Sequence, residues 1–137
     1  MAAAIVQTCV DPRLNHELLR IQIRQKLDRL GLTADRIFIL NDVGGNVGGN
    51  FRNTVAVLKQ QGDPIVLCAV LHHDLCIAAG QGARAPIEES LQRMTGLLEA
   101  DGIACHVLTG NVLTENNVLQ WSDEPAREYQ PFSFGGY

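Results

Sequence analysis

Residues 64–76 read PIVLCAVLHHDLC. Eight apolar residues run without a break, then give way to two histidines, an aspartate and a cysteine. A strand with one wet face alternates apolar with polar. A strand without alternation is buried on both faces, as in a parallel sheet covered by helices on each side. Residues 64–71 therefore predict a central strand of an α/β fold that ends in side chains able to do chemistry.

The rest of the chain alternates around it. Residues 3–8 predict a first strand, again followed by reactive side chains in CVDPR, residues 9–13. Residues 15–30 predict a helix with Asn15 as cap, Gly31 as stop and an apolar stripe of Leu18, Ile21, Ile23, Leu27 and Leu30. RIFIL, residues 36–40, predicts a second strand, and Phe51, Val55 and Leu58 mark a helix over 51–61 closed by Gly62. Residues 77–85 read as a small-residue loop. Residues 86–100 predict a helix with Pro86, Glu88 and Glu89 in its first turn and a stripe of Ile87, Leu91, Met94 and Leu98. A fourth strand is expected over 103–110, and NVLTENNVLQW predicts a hairpin turning at Asn116–Asn117. Strand and helix in alternation imply right-handed crossovers, hence about four parallel strands plus a C-terminal hairpin strand, with helices on both faces. Such sheets bind ligands beyond the carboxyl ends of their strands, where strand order reverses. If strands one and three are neighbours, Cys9 and the 73–76 segment meet there.

Composition narrows the classes. A chain of 137 residues suits one domain, taken as 1–121, with an aromatic tail at 122–137. A net charge of −4 without a basic patch argues against a nucleic-acid surface. No run approaches the ~18 apolar residues that span a bilayer, and MAAAIVQTCV lacks a basic n-region, so a cytoplasmic protein without membrane contact is expected. The tail carries Tyr129, Phe132, Phe134 and Tyr137 after Trp121, and its aromatic surface is expected to dock on the body or on a partner subunit. GGNVGG, residues 44–49, offers backbone N–H groups to a phosphate but lacks G-x-G-x-x-G spacing and follows the second strand. It reads as a flexible turn.

Of four cysteines, Cys68 and Cys105 lie within apolar runs and read as core filler, whereas Cys9 and Cys76 stand where runs end. Thiolate and imidazole are the ligands zinc prefers, and a catalytic site keeps three protein ligands and one open position. Cys9, His73 and Cys76 supply three. His73 is favoured over His72 because the H-x-x-C spacing gives the better bite, and adjacent strand residues point to opposite faces. Arg13, two residues from Asp11, can hold that carboxylate ionised. Asp11 is then placed either to accept a hydrogen bond from water at the metal or to close the fourth position itself. Each pattern alone occurs by chance; their placement after two buried strands is what joins them.

The arrangement resembles the beta-class carbonic anhydrases, whose signature is C-x-D-x-R followed by H-x-x-C on a parallel α/β sheet. AIVQTCVDPRL resembles the family's first strand and motif, FILNDVGGNV its second strand and R-N-A-G loop, VLHHDLC its histidine–cysteine segment, and HVLTGNVLTENNVLQW its closing strand and hairpin. The resemblance spans roughly residues 3–121. It implies zinc on Cys9, His73 and Cys76, catalysis assisted by Asp11 and Arg13, reversible hydration of carbon dioxide as a small-molecule substrate, and a homodimer or higher homo-oligomer. The alternatives are hydrolysis of carbonyl sulfide or carbon disulfide, or a non-catalytic zinc-binding relative with a regulatory or interaction role. The sequence departs from the family pattern in four places. Asn41 and Asp42 replace the arginine and asparagine of the loop, Leu75 replaces an aspartate, and Ile77 replaces a glycine.

Overall fold

The computed structural model describes residues 1–125. Its elements run β1 (Ala3–Cys9), α1 (His16–Arg29), β2 (Arg36–Asp42), a 3-10 turn (Val43–Gly45), α2 (Gly49–Gln61), β3 (Ile65–His73), α3 (Ile77–Gly80), α4 (Ile87–Ala100), β4 (His106–Val112) and β5 (Leu119–Trp121). The sheet order is β2-β1-β3-β4-β5, parallel except for β5, which returns antiparallel to β4. The expected architecture is therefore present: four parallel strands, a hairpin strand, and helices on both faces. The chain leaves β1 toward one edge through β2 and comes back to build the other side from β3. The carboxyl ends of β1 and β3 thus flank the switch point.

One face of the sheet packs Ala4, Val6, Leu67, Ala69 and Leu71 against Leu19, Ile23 and Leu27 of α1. The other packs Ala3, Ile5, Cys68 and Val70 against Phe51, Val55 and Leu58 of α2 and Met94 and Leu98 of α4. Burying a side chain of this size contributes about 1.5–3 kcal/mol. Cys68 is fully buried and Cys105 packs against the same cluster, as core filler does. A hydrogen bond with the Cys105 sulfur, followed by burial, holds the Cys68 thiol far above the ordinary range, so it stays protonated.

Three expectations change. The α1 stripe is rotated: Leu19, Gln22, Ile23, Lys26 and Leu27 face inward, while Ile21 is exposed. Two polar residues tolerate burial because each is partnered. Gln22 Oε1 accepts from the Leu119 amide at 2.8 Å, and its Nε2 donates to Asn117 O at 2.6 Å. Lys26 Nζ donates to Glu124 at 2.6 Å and to Asp123 at 3.0 Å. The 77–85 segment is not all loop, since it opens with the single turn α3. The glycine-rich stretch expected as a turn packs its first part, Gly44 and Gly45, on the sheet. Gly44 and Gly45 are buried with φ of 68° and 67°. A Cβ on Gly45 would stand 3.3 Å from Leu71 O and 3.4 Å from Cys9 N, so the loop rests directly on the ends of β1 and β3. The expected docking of the aromatic tail concerns residues 126–137 above all, and these lie outside the described residues.

Candidate metal centre

Cys9 is the last residue of β1, His73 the last of β3, and Cys76 stands just before α3. Strand pairing brings together residues more than sixty positions apart. Their ligand atoms, two sulfurs and one ring nitrogen, all lie within 4.8 Å of one another. Cys9 and His73 are buried, and Cys76 is 9 % exposed. Both thiols are free.

The histidine is oriented for coordination. His73 Nδ1 lies 2.7 Å from Asp74 O. A carbonyl only accepts, so Nδ1 carries the proton and Nε2 presents a lone pair. That Nε2 is buried without a hydrogen-bond partner. An orphaned buried nitrogen costs about 1–3 kcal/mol, and a cation seated between it and the two thiols removes that cost. The donor set S, S, N fits a borderline-soft metal and leaves a fourth direction open.

His72 is placed elsewhere. Along β3, Leu67, Ala69 and Leu71 face α1 and Cys68 and Val70 face α2 and α4, so alternation turns His72 to the latter side. Burial, followed by the charge of Arg84, pushes its imidazole down to about 4, so it is neutral at pH 7.

Asp11 and Arg13 form a forked pair. Arg13 Nε donates to Asp11 Oδ1 at 3.0 Å, Nη2 donates to Oδ2 at 2.7 Å, and the Arg13 amide donates to Oδ1 at 2.8 Å. These bonds, the guanidinium side chain first, hold the Asp11 carboxyl down at about 2 against the opposing effect of burial. Asp11 Oδ2 is also 3.8 Å from His73 Nε2, so the carboxylate borders the space that the three ligand atoms enclose.

Several supports escaped the sequence reading. Leu75 has φ of 54°, a left-handed conformation uncommon for leucine, and its carbonyl accepts from Arg13 Nη2 at 2.8 Å. Asn117, at φ 59° in the hairpin turn, accepts from the Asn15 amide at 2.9 Å and donates to Arg13 O at 3.2 Å. Asp74 Oδ1 accepts from the Thr114 amide at 2.7 Å, tying the 73–76 segment to the same hairpin. The Asn-Asn pair signalled a turn, but its grip on Arg13 needs the folded chain. In the altered loop, Thr8 Oγ1 donates to Asn41 Oδ1 at 2.8 Å, and Asp42 accepts from Gln7 Nε2 and Asn50 Nδ2, each at 3.3 Å. Arg13 stays with Asp11.

No protein-family model matches the chain, and no curated protein matches its sequence. Solved structures do match its fold. A carbonic anhydrase from Streptococcus mutans superposes with a TM-score of 0.53 at 20% identity, covering 88% of this chain and 81% of that chain. The beta-carbonic anhydrase CafD of Aspergillus fumigatus superposes at 0.52 with 11% identity, over 88% of this chain and 89% of that one. CafA of the same fungus gives 0.51 at 12% identity, over 89% and 76%. Among the described residues, no helix is long and apolar enough to cross a membrane. The chain thus has the fold of the beta-carbonic anhydrases, with a Cys–His–Cys cluster at the carboxyl edge of its sheet.

Proposed function

We propose that Cys9, His73 and Cys76 hold a zinc ion and that the chain catalyses reversible hydration of carbon dioxide. The observation that carries this reading is the buried, unpartnered Nε2 of His73, facing two free thiols within 4.8 Å. The shared fold agrees with it. When bound, the metal supplies the Lewis acidity that turns water into a nucleophile near neutral pH.

The chain's own residues do the rest. Cys9 and Cys76 bring two negative charges that offset the cation. Asp74 O fixes the His73 tautomer. Asp11, kept ionised by Arg13, can only accept a hydrogen bond. It would therefore accept a hydrogen bond from the attacking oxygen and so aim that oxygen's free lone pair at the substrate carbon. Arg13 occupies both carboxylate oxygens and keeps Asp11 from turning into the ligand cluster.

Purified chain should contain about one zinc, lost in Cys76→Ala, and should accelerate carbon dioxide hydration in stopped-flow assays between pH 6.5 and 9. Absence of zinc under reducing conditions would refute the metal. A zinc-loaded chain no faster than buffer would refute the activity.

A further inference from the structure

Each of the four parallel strands runs out into an exposed apolar side chain. Val10 follows β1, Val43 follows β2, Leu75 and Ile77 flank Cys76 after β3, and Leu113 follows β4. They are five of the eight large apolar side chains exposed among the described residues; Met1, Ile21 and Val57 lie elsewhere. Single exposed apolar residues are ordinary, but a set gathered at one edge of a sheet marks a surface that another segment covers. The rim also holds a cation. Arg13 is 42 % exposed and bonded to Leu75 O, and the face of its planar guanidinium can stack on an aromatic ring.

The chain supplies a segment of matching chemistry. The twelve residues beyond Pro125 hold four of its seven aromatic side chains, Tyr129, Phe132, Phe134 and Tyr137, and their two charges, Arg127 and Glu128, cancel. They also start in the right place. Pro125 O accepts from Gln120 Nε2 at 3.1 Å, and Gln120 pairs with Asn111, next to the Val112 that pairs with His73. The segment therefore begins close to the carboxyl edge, on the β5 side. From β5 to β1 is three strand spacings, about 15 Å. Twelve extended residues reach about 40 Å, enough to cross the whole rim.

We infer that residues 126–137 fold back over the carboxyl edge of their own sheet. Their aromatic rings seat on Leu113, Leu75, Ile77 and Val10 and on the Arg13 guanidinium, and so cover the Cys9–His73–Cys76 cluster. The inference goes beyond the proposed function, because it concerns which part of the chain closes over the cluster and needs no metal. Docking removes apolar surface of both the rim and the segment from water. It also sets how readily solutes reach the two thiols.

The test compares the full chain with a truncation after Pro125, both reduced and treated with chelator. Iodoacetamide alkylation of each cysteine is followed by peptide mass spectrometry. A segment docked about 90 % of the time slows access about tenfold, so truncation should speed labelling of Cys9 and Cys76 by about that factor. Cys105, half-buried just ahead of β4 at the opposite edge, should keep its rate. Ile77→Ser combined with Leu113→Ser, both at exposed positions, should give the same gain in the full chain and little more in the truncated one. Equal rates with and without the segment would overturn the inference. Faster labelling of Cys68 and Cys105 as well would mark a general loosening and overturn it too. Protection that fades on dilution would place the segment on another copy, against the inference. Metal content decides the zinc reading separately, since this comparison is made without metal.

Discussion

One nitrogen of Arg13, Nη2, is shared between the Asp11 carboxylate at 2.7 Å and the Leu75 carbonyl at 2.8 Å. The guanidinium therefore links the segment after Cys9 to the segment before Cys76. Arg13→Gln breaks the fork but touches no candidate ligand. Zinc content should stay near one per chain while kcat/KM for hydration falls about 10–100-fold. Metal analysis run beside stopped-flow assays separates the two. Loss of zinc in this variant would mean that Arg13 shapes the ligand cluster itself.

That shared bond demands that Leu75 turn its carbonyl toward Arg13, and the left-handed backbone is how it does so. A β-carbon in this region costs about 1–2 kcal/mol, partly offset on replacement by the greater chain entropy of glycine. Leu75→Gly should raise the unfolding free energy by about 0.5–1 kcal/mol in urea titrations with chelator present. A loss of stability would show that the exposed leucine side chain makes a contact worth more than the strain.

Lys26 is nearly inaccessible, yet its ammonium meets Asp123 and Glu124 and lies 5.7 Å from the Trp121 ring. Burial tends to raise the Glu124 carboxyl, but Lys26 and Arg29 outweigh it and hold it below its ordinary 4.5. A carboxyl depressed in the folded state stabilises above its unfolded value, and that stability is lost as pH falls below it. Unfolding free energy should thus decline from about pH 4.5 downward, and Glu124→Gln should flatten that decline. At pH 7 the same variant should cost on the order of 1 kcal/mol. Matching slopes in the two proteins would remove this pair from the acid response.

β2 is a seven-residue edge strand, and beside it lies an apolar groove of about 270 Å³ that includes Phe38, Val57 and Leu58. Uncovered edges invite pairing with another chain. A homodimer or higher oligomer is expected in sedimentation at micromolar concentration. Truncation after Pro125, which spares the Lys26 contacts, should weaken it if the aromatic residues beyond contribute. A stable monomer would contradict the expectation.

The fold was legible because residues 64–71 are apolar without interruption and because strand and helix periods alternate cleanly. Cys9, His73 and Cys76 were legible as a group because each stands at or just past a strand end. What escaped depends on contacts across the chain. Nothing in the periodicity of α1 marks Gln22 and Lys26 as inward, since their acceptors and donors lie near residue 120. Asp42 beside Cys9 follows from strand register, which one sequence does not print. The glycines of the 43–45 turn were visible, but the need for them was not, because it comes from the backbones of Thr8, Cys9 and Leu71 pressing on Gly45.

Gln22 also bears on how the chain is made. Its side chain completes hydrogen bonds with Asn117 and Leu119, and Lys26 awaits Asp123 and Glu124. At ordinary elongation rates these partners follow α1 out of the ribosome on the order of 5–20 s later. During that interval the helix carries two polar side chains on the face that must be buried, and of their bonds only that from Gln22 Nε2 to Leu18 O, at 3.1 Å, lies within the helix. The inward face of α1 is therefore completed only once residues 117–124 have been made.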